Sequence, residues 1–207
     1  MFFLFIVKFF SSLLLFGFEE ICSTMYSKYK PVESHIPHFV TFTIIGWIDV
    51  FTREDYKEIL LSSLKYCIDN KGLKLHAWVI MTNHVHLIIS TKGAAVSAMV
   101  RDIKKYTSKK IIAAINNNTR ESRKSWMMNM FEYAGKTNND NKYYQLWKQY
   151  YHPIVLNNHL RQQRALHYLH YNPVKAGLAW EPWHYKYSSG IDYYTNEEGL
   201  LKIDRLF

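Results

Sequence analysis

Apolar positions along the chain change their period several times, and each change marks an element. Phe39-Val-Thr-Phe-Thr-Ile-Ile45 is β-branched and aromatic, which predicts a strand. Tyr56, Ile59, Leu60, Leu64, Cys67 and Ile68 then recur at helical spacing. Thr52 and Asp55 stand ahead of that run as a capping box, and Gly72 stops it. Residues 75–81 and 85–90 predict two strands, with Thr82-Asn83 as the turn between them. A second helix is expected over 95–115. Its apolar side carries Val96, Met99, Val100, Ile103 and Ile111, and its other face carries Arg101, Lys104, Lys105, Lys109 and Lys110.

After residue 115 the periodicity weakens. Residues 116–125 and 135–142 are polar and Asn-rich and read as loops, with a short strand over 126–133 between them. Residues 145–156 are aromatic and predict a last strand. Asn157 can cap a helix running to about Tyr171, which Pro173 ends, because the residue before a proline avoids the helical region. The tail from Gly177 is aromatic and irregular. Strands alternating with helices, two strands nearly contiguous, predict an α+β layer: an antiparallel sheet with helices packed on it.

The 207 residues suffice for one domain with a real core. Lys and Arg total 26 against 17 Asp and Glu, a net charge of +9 that favours a polyanionic partner. The 16 tyrosines and 6 tryptophans make the chain dense in aromatics; part of these must be core, but bases also stack on such rings. Cys22 and Cys67 form no CxxC pair and no disulfide framework, which fits a reducing cytoplasm; Cys67 reads as a buried thiol. Residues 1–24 are strongly apolar and unlike the rest. Lys8 splits the run, and Cys22-Ser-Thr24 makes a poor cleavage site. Membrane anchor, signal peptide and upstream codons read from an early start all compete, and the last is favoured. Met25 opens a polar basic segment leading into the first strand, so 1–24 reads as an extension and 25–207 as a single domain.

The candidate chemistry begins with His84-Val-His86. Alternate residues of a strand share a face, so both imidazoles can converge on one point while Val85 enters the opposite layer. Two imidazoles are too few for a closed metal site, but they suit an open one that polarises a phosphate oxygen. GxSxG, Walker and CxxC nucleophile patterns are missing from the sequence. Tyr168 and Asn172, four apart, project from one face of the last predicted helix. Asn172 offers an amide oxygen to a metal, and Tyr168 a phenol that a nearby cation would activate.

Two longer segments carry a family likeness. Ala77-Trp-Val-Ile-Met-Thr-Asn-His-Val-His-Leu-Ile-Ile89 resembles the HUH signature of single-tyrosine transposases. Tyr168-Leu-His-Tyr-Asn-Pro-Val-Lys-Ala-Gly-Leu178 resembles their tyrosine-helix motif. Phe39-Val-Thr-Phe-Thr43, Arg101-Asp-Ile-Lys-Lys-Tyr106, Leu146-Trp147 with His152-Pro153, and Tyr187-Ser-Ser189 extend the match over about residues 30–190, nearest to the REP-associated branch of the IS200-like group. Thr82 departs from the family, which commonly has proline there.

The resemblance implies a ferredoxin-like sheet with an HUH endonuclease core, usually in a homodimer. It implies a Mg²⁺- or Mn²⁺-dependent reaction on single-stranded DNA, at hairpins or repeat ends, through a 5′-phosphotyrosine. Carried over by position, His84 and His86 match the metal-binding pair, Tyr168 the nucleophile, and Asn172 the third polar ligand. Tyr171, one turn from Tyr168, is the alternative nucleophile. Arg101, Lys104, Lys105 and Lys175 are expected to grip the DNA backbone. His167 and His170 could shuttle protons but read first as polar surface residues of a basic helix, and His152 as packed at a strand end. Two rival readings stand beside this one: a hairpin-binding relative that does not cut, and a membrane-anchored protein resting wholly on the first 18 residues.

Overall fold

The computed structural model describes residues 34–138, 143–149 and 153–207. The apolar extension, the start at Met25, and Cys22 and His152 lie outside the described residues.

Strand β1 (His38–Thr43) pairs antiparallel with β3 (His84–Thr91), matching Thr41 to His86 and Thr43 to His84. Strand β2 (Leu73–Ile80) forms a hairpin with β3, closed where the Met81 amide donates to the His84 carbonyl at 2.8 Å. A two-residue strand β4 (Ile154–Val155) adds to the far side of β1, giving the order β2-β3-β1-β4. The α+β fold expected from the sequence is therefore present.

Alternation sorts the sheet into two faces. Val40, Phe42, Val85, Leu87 and Ile89 join one apolar core with residues of α1 (Glu54–Lys71) and α2 (Val96–Asn117). The other face carries Phe39, Thr41, His84, His86 and Ile88, and is covered by α4 (His159–Lys175), which packs on β2 and β3. The tail closes the outer edge of β2. The Ser189 amide donates to the Trp78 carbonyl, the Trp78 amide to Ser189 Oγ, and the Ile80 amide to the Tyr187 carbonyl, each at 2.9 Å. An open edge is a template for unwanted pairing, so Tyr187-Ser-Ser189 has a structural task. A short helix, α5 (Gly190–Tyr194), follows it.

Several expectations needed correction. Residues 126–133 form no strand but belong to helix α3 (Lys124–Lys136), which buries Met127 and Phe131, one turn apart. Thr52 caps nothing: its hydroxyl donates back to the Asp49 carbonyl at 3.0 Å, and α1 begins after Arg53 without a side-chain cap. The cap of α4 is Asn158, whose side chain accepts from the Arg161 amide at 2.9 Å. Pro173 does not end α4, which continues to Lys175. A proline loses one amide donor, and here the last turn still closes through the Ala176 amide to the Asn172 carbonyl at 3.0 Å. Of the last expected strand, the described part pairs only at Ile154 and Val155 and by a single bridge from Trp147 to Ile44.

Candidate functional site

The first turn of β3 sets two imidazoles side by side, their ring centroids 4.8 Å apart. Each has a partner on Nδ1. His84 Nδ1 lies 2.6 Å from Asn83 Oδ1, and His86 Nδ1 lies 2.9 Å from Thr41 Oγ1. Asn83 Nδ2 donates to the Trp47 carbonyl at 3.2 Å, which fixes the orientation of its amide. Its Oδ1 can then only accept, so His84 carries its proton on Nδ1 and keeps a lone pair on Nε2. Sequence reasoning missed Asn83 as a group that orients the site; its one signal was adjacency to His84.

Burial forces both rings to be neutral. It drives the His84 imidazole down to about 4, partly opposed by a hydrogen bond with Asn172. Burial also pushes His86 well below its ordinary value, and the neighbouring His84 adds to this. His86 Nε2 is buried with no hydrogen-bond partner among the described residues. An orphaned imidazole nitrogen in a closed polar site is costly unless something binds it.

Helix α4 brings the other half of the site. Tyr168 packs edge-on against His86 at 5.4 Å and against Phe39 at 5.9 Å. Burial raises its phenol above the ordinary value, and contact with Asn172 pulls it part of the way back. One turn on, Asn172 is buried and its carboxamide reaches both His84 and Tyr168, yet its Nδ2 meets no acceptor among the described residues. Turning the amide about Cβ–Cγ would present Oδ1 at that position instead. Lys175 Nζ lies 5.8 Å from the Tyr168 ring centre. Tyr171 faces elsewhere, stacked on exposed His167 at 4.2 Å.

His84, His86, Tyr168 and Asn172 therefore meet within one chain, with Lys175 at the margin. The donor set fits a divalent cation: two neutral imidazoles, each oriented by a partner on its other nitrogen, and a carboxamide beside them. Among the described residues no group of three or more His, Cys, Asp and Glu is gathered to hold a metal. A cation here would therefore rely on the imidazole pair and the amide.

The remaining candidates lie elsewhere. Arg101 is exposed and pairs with Asp102 at 3.3 Å, and Lys105 is exposed on the same helix. Lys104 turns inward, donating to the Lys148 carbonyl at 2.6 Å, and burial lowers its ammonium to about 8. Arg101, Lys105 and Lys109 line a groove of about 870 Å³ together with Tyr143 and Tyr144. His170 is not the surface residue expected. It is fully buried, with Nε2 2.9 Å from Ser189 Oγ, and so pins α4 to the segment that seals β2.

Comparison with known proteins adds independent findings. The family model described as "Transposase IS200 like" matches residues 32–153. A solved REP-associated tyrosine transposase bound to a REP hairpin superposes with a TM-score of 0.56 at 16% identity, over 88% of this chain and 94% of that one. A Deinococcus radiodurans protein provisionally named a transposase covers 67% of this chain and 92% of its own, at 17% identity and a TM-score of 0.39. No curated protein matches the sequence.

Proposed function

Because the chain belongs to the IS200-like transposase family, we propose that it cleaves and rejoins single-stranded DNA through a covalent bond to Tyr168. The observation that carries this reading is the meeting of Tyr168 with the His84–His86 pair inside one chain, around an imidazole nitrogen that no group among the described residues satisfies. We also read residues 25–207 as one domain, with 1–24 as an extension.

In the proposed step Tyr168 Oη bonds to phosphorus as the P–O3′ bond breaks. The phenol gives its proton to solvent, and the departing 3′ oxygen takes one up. The products are a 5′-phosphotyrosine and a free 3′ hydroxyl, and attack by that hydroxyl reverses the reaction with no energy source. His84, His86 and Asn172 would hold a Mg²⁺ or Mn²⁺ ion, which when bound polarises a phosphate oxygen and offsets developing charge. Phe39 and His86 fix the direction of the phenol, and Asn172 favours its ionised form. Lys175 brings a second cation near the ring. The REP-associated relative was solved with a hairpin, and a hairpin or repeat end is the substrate we propose here. A homodimer, as the family resemblance implies, is compatible with this reading, although Tyr168 serves its own chain's histidines.

The test is incubation with single-stranded DNA from the flanks of its own gene, with Mn²⁺, followed by a denaturing gel. A retarded protein–DNA band that vanishes on chelation and in Tyr168→Phe is expected. A mixture of His84→Ala and Tyr168→Phe chains should stay inactive. Binding without any covalent band would favour a hairpin-binding protein that does not cut.

A further inference from the structure

Trp47 adopts a conformation that its side chain makes costly. Its φ is +58°, directly after Gly46 at +63°, and it is the one non-glycine residue with positive φ among the described residues. Bulky residues rarely adopt the left-handed region, and strain of this kind persists where surrounding structure enforces it, often at functional sites. Here the enforcement is visible. The Trp47 amide donates to the Ile44 carbonyl at 3.1 Å, and its carbonyl accepts from Asn83, the residue that orients His84.

The strain does not serve core packing, because the residue keeps 39% of its surface exposed. Instead the indole stands at the mouth of the site, 6.0 Å from the His84 ring. Lys148 Nζ lies 4.4 Å from the indole ring centre. The Lys148 backbone is anchored by a hydrogen bond from its amide to the Thr43 carbonyl at 2.7 Å, on the residue paired with His84. The ring contacts therefore run Trp47, His84, His86, Tyr168, with the nucleophile at one end and the strained tryptophan at the other.

In-line displacement gives that order a meaning. The phenol oxygen attacks from one side of phosphorus and the 3′ oxygen departs from the other. With the scissile phosphate seated at the histidine pair, the nucleotide carrying the departing oxygen would lie away from Tyr168, toward the end of the contact chain that Trp47 forms. Resting on the reading of Tyr168 as nucleophile, we propose that Trp47 and Lys148 form the seat for the nucleotide on the 5′ side of the cut. The base stacks on the indole and Lys148 engages its phosphate. That seat would hold the free 3′ hydroxyl in place after cleavage, ready to reverse the reaction or join another end. Aromatic stacking accepts any base, so the seat acts as a positioning device more than a sequence reader.

The test measures binding with metal chelated, so that no strand is cut. Fluorescence anisotropy is read with labelled single strands tiling the gene flanks. Trp47→Gly should weaken binding roughly tenfold to a hundredfold, as removal of one stacking ring does, with no loss of thermal stability, because glycine relieves the left-handed backbone. Trp47→Phe should fall between. An abasic nucleotide placed directly 5′ of the mapped cut should weaken wild-type binding and make wild type and Trp47→Gly equal. If wild type binds and Trp47→Gly binds within twofold of it, the seat is wrong. It is equally wrong if the abasic and Trp47→Gly losses multiply independently. If wild type binds none of the strands, the proposed single-strand cleavage through Tyr168 fails and takes the seat with it.

Discussion

The two faces of one sheet are built to different rules. On the α1–α2 face, Val85, Leu87 and Ile89 sit in a continuous hydrocarbon core with Leu60, Leu64, Val100 and Ile103. One buried polar side-chain atom there, Trp78 Nε1, lacks a partner among the described residues. On the α4 face, His86, His170 and Asn172 each leave a buried atom without a partner among the described residues. The same strand β3 supplies both faces, residue by residue. One face is optimised for burial, whereas the other gives up satisfied hydrogen bonding and tolerates neutral, buried imidazoles. Local rules yield at places where something else must bind.

That contrast can be broken most sharply on adjacent residues. Leu87→Ala should cost about 2–5 kcal/mol of stability through lost burial and the cavity left behind, while any surviving folded protein still cleaves. His86→Leu should change metal-free stability by no more than about 1 kcal/mol, since it removes an orphaned nitrogen while leaving Thr41 unpaired, yet cleavage should vanish. Denaturant titration beside the adduct assay separates the two. A His86→Leu protein that cleaves normally, or that unfolds as readily as Leu87→Ala, would erase the distinction between the faces.

A smaller effect concerns His170. Burial lowers its imidazole from the ordinary 6.5 to about 3, so the unfolded chain binds a proton that the folded chain refuses. Its contribution to stability is complete above pH 6.5 and is lost as pH falls from there toward 3. Over that window the loss is about 1.4 kcal/mol per pH unit for one proton. His170→Gln should remove one proton's worth of slope from the stability–pH curve. An unchanged slope would show that this ring protonates freely in the fold.

The mildest prediction lies on the exposed helix. Lys105→Glu should weaken DNA binding evenly across sequences and reduce the slope of log affinity against log salt by about 1. Lys104→Glu is expected to act through stability instead, because its ammonium is tied to the Lys148 carbonyl.

Much of the apolar face was legible in the sequence, because periodicity records burial directly: strands β1–β3 and helices α1 and α2 fall within two residues or so of expectation. Helix α3 was misread because Trp126, Phe131 and Tyr133 have strand-like composition, and its phase emerges only from the burial of Met127 and Phe131. His170 occupies the buried stripe Leu166, Leu169, His170, Pro173, so its spacing was informative while its polarity pointed outward. The geometry gathers His84, His86, Tyr168 and Asn172, residues the two motifs singled out. Asn83 and Trp47 carried little signal, since their importance arises from a turn meeting a strand 36 residues away.

The central claim is that Tyr168, and no other side chain, takes the phosphate. Protease digestion of the Mn²⁺-dependent adduct, followed by nuclease trimming and mass spectrometry, reads this directly. The account predicts a nucleotide linked by its 5′ phosphate to Tyr168. A nucleotide on Tyr171, on any other residue, or on no residue while the strand is still cut would contradict it.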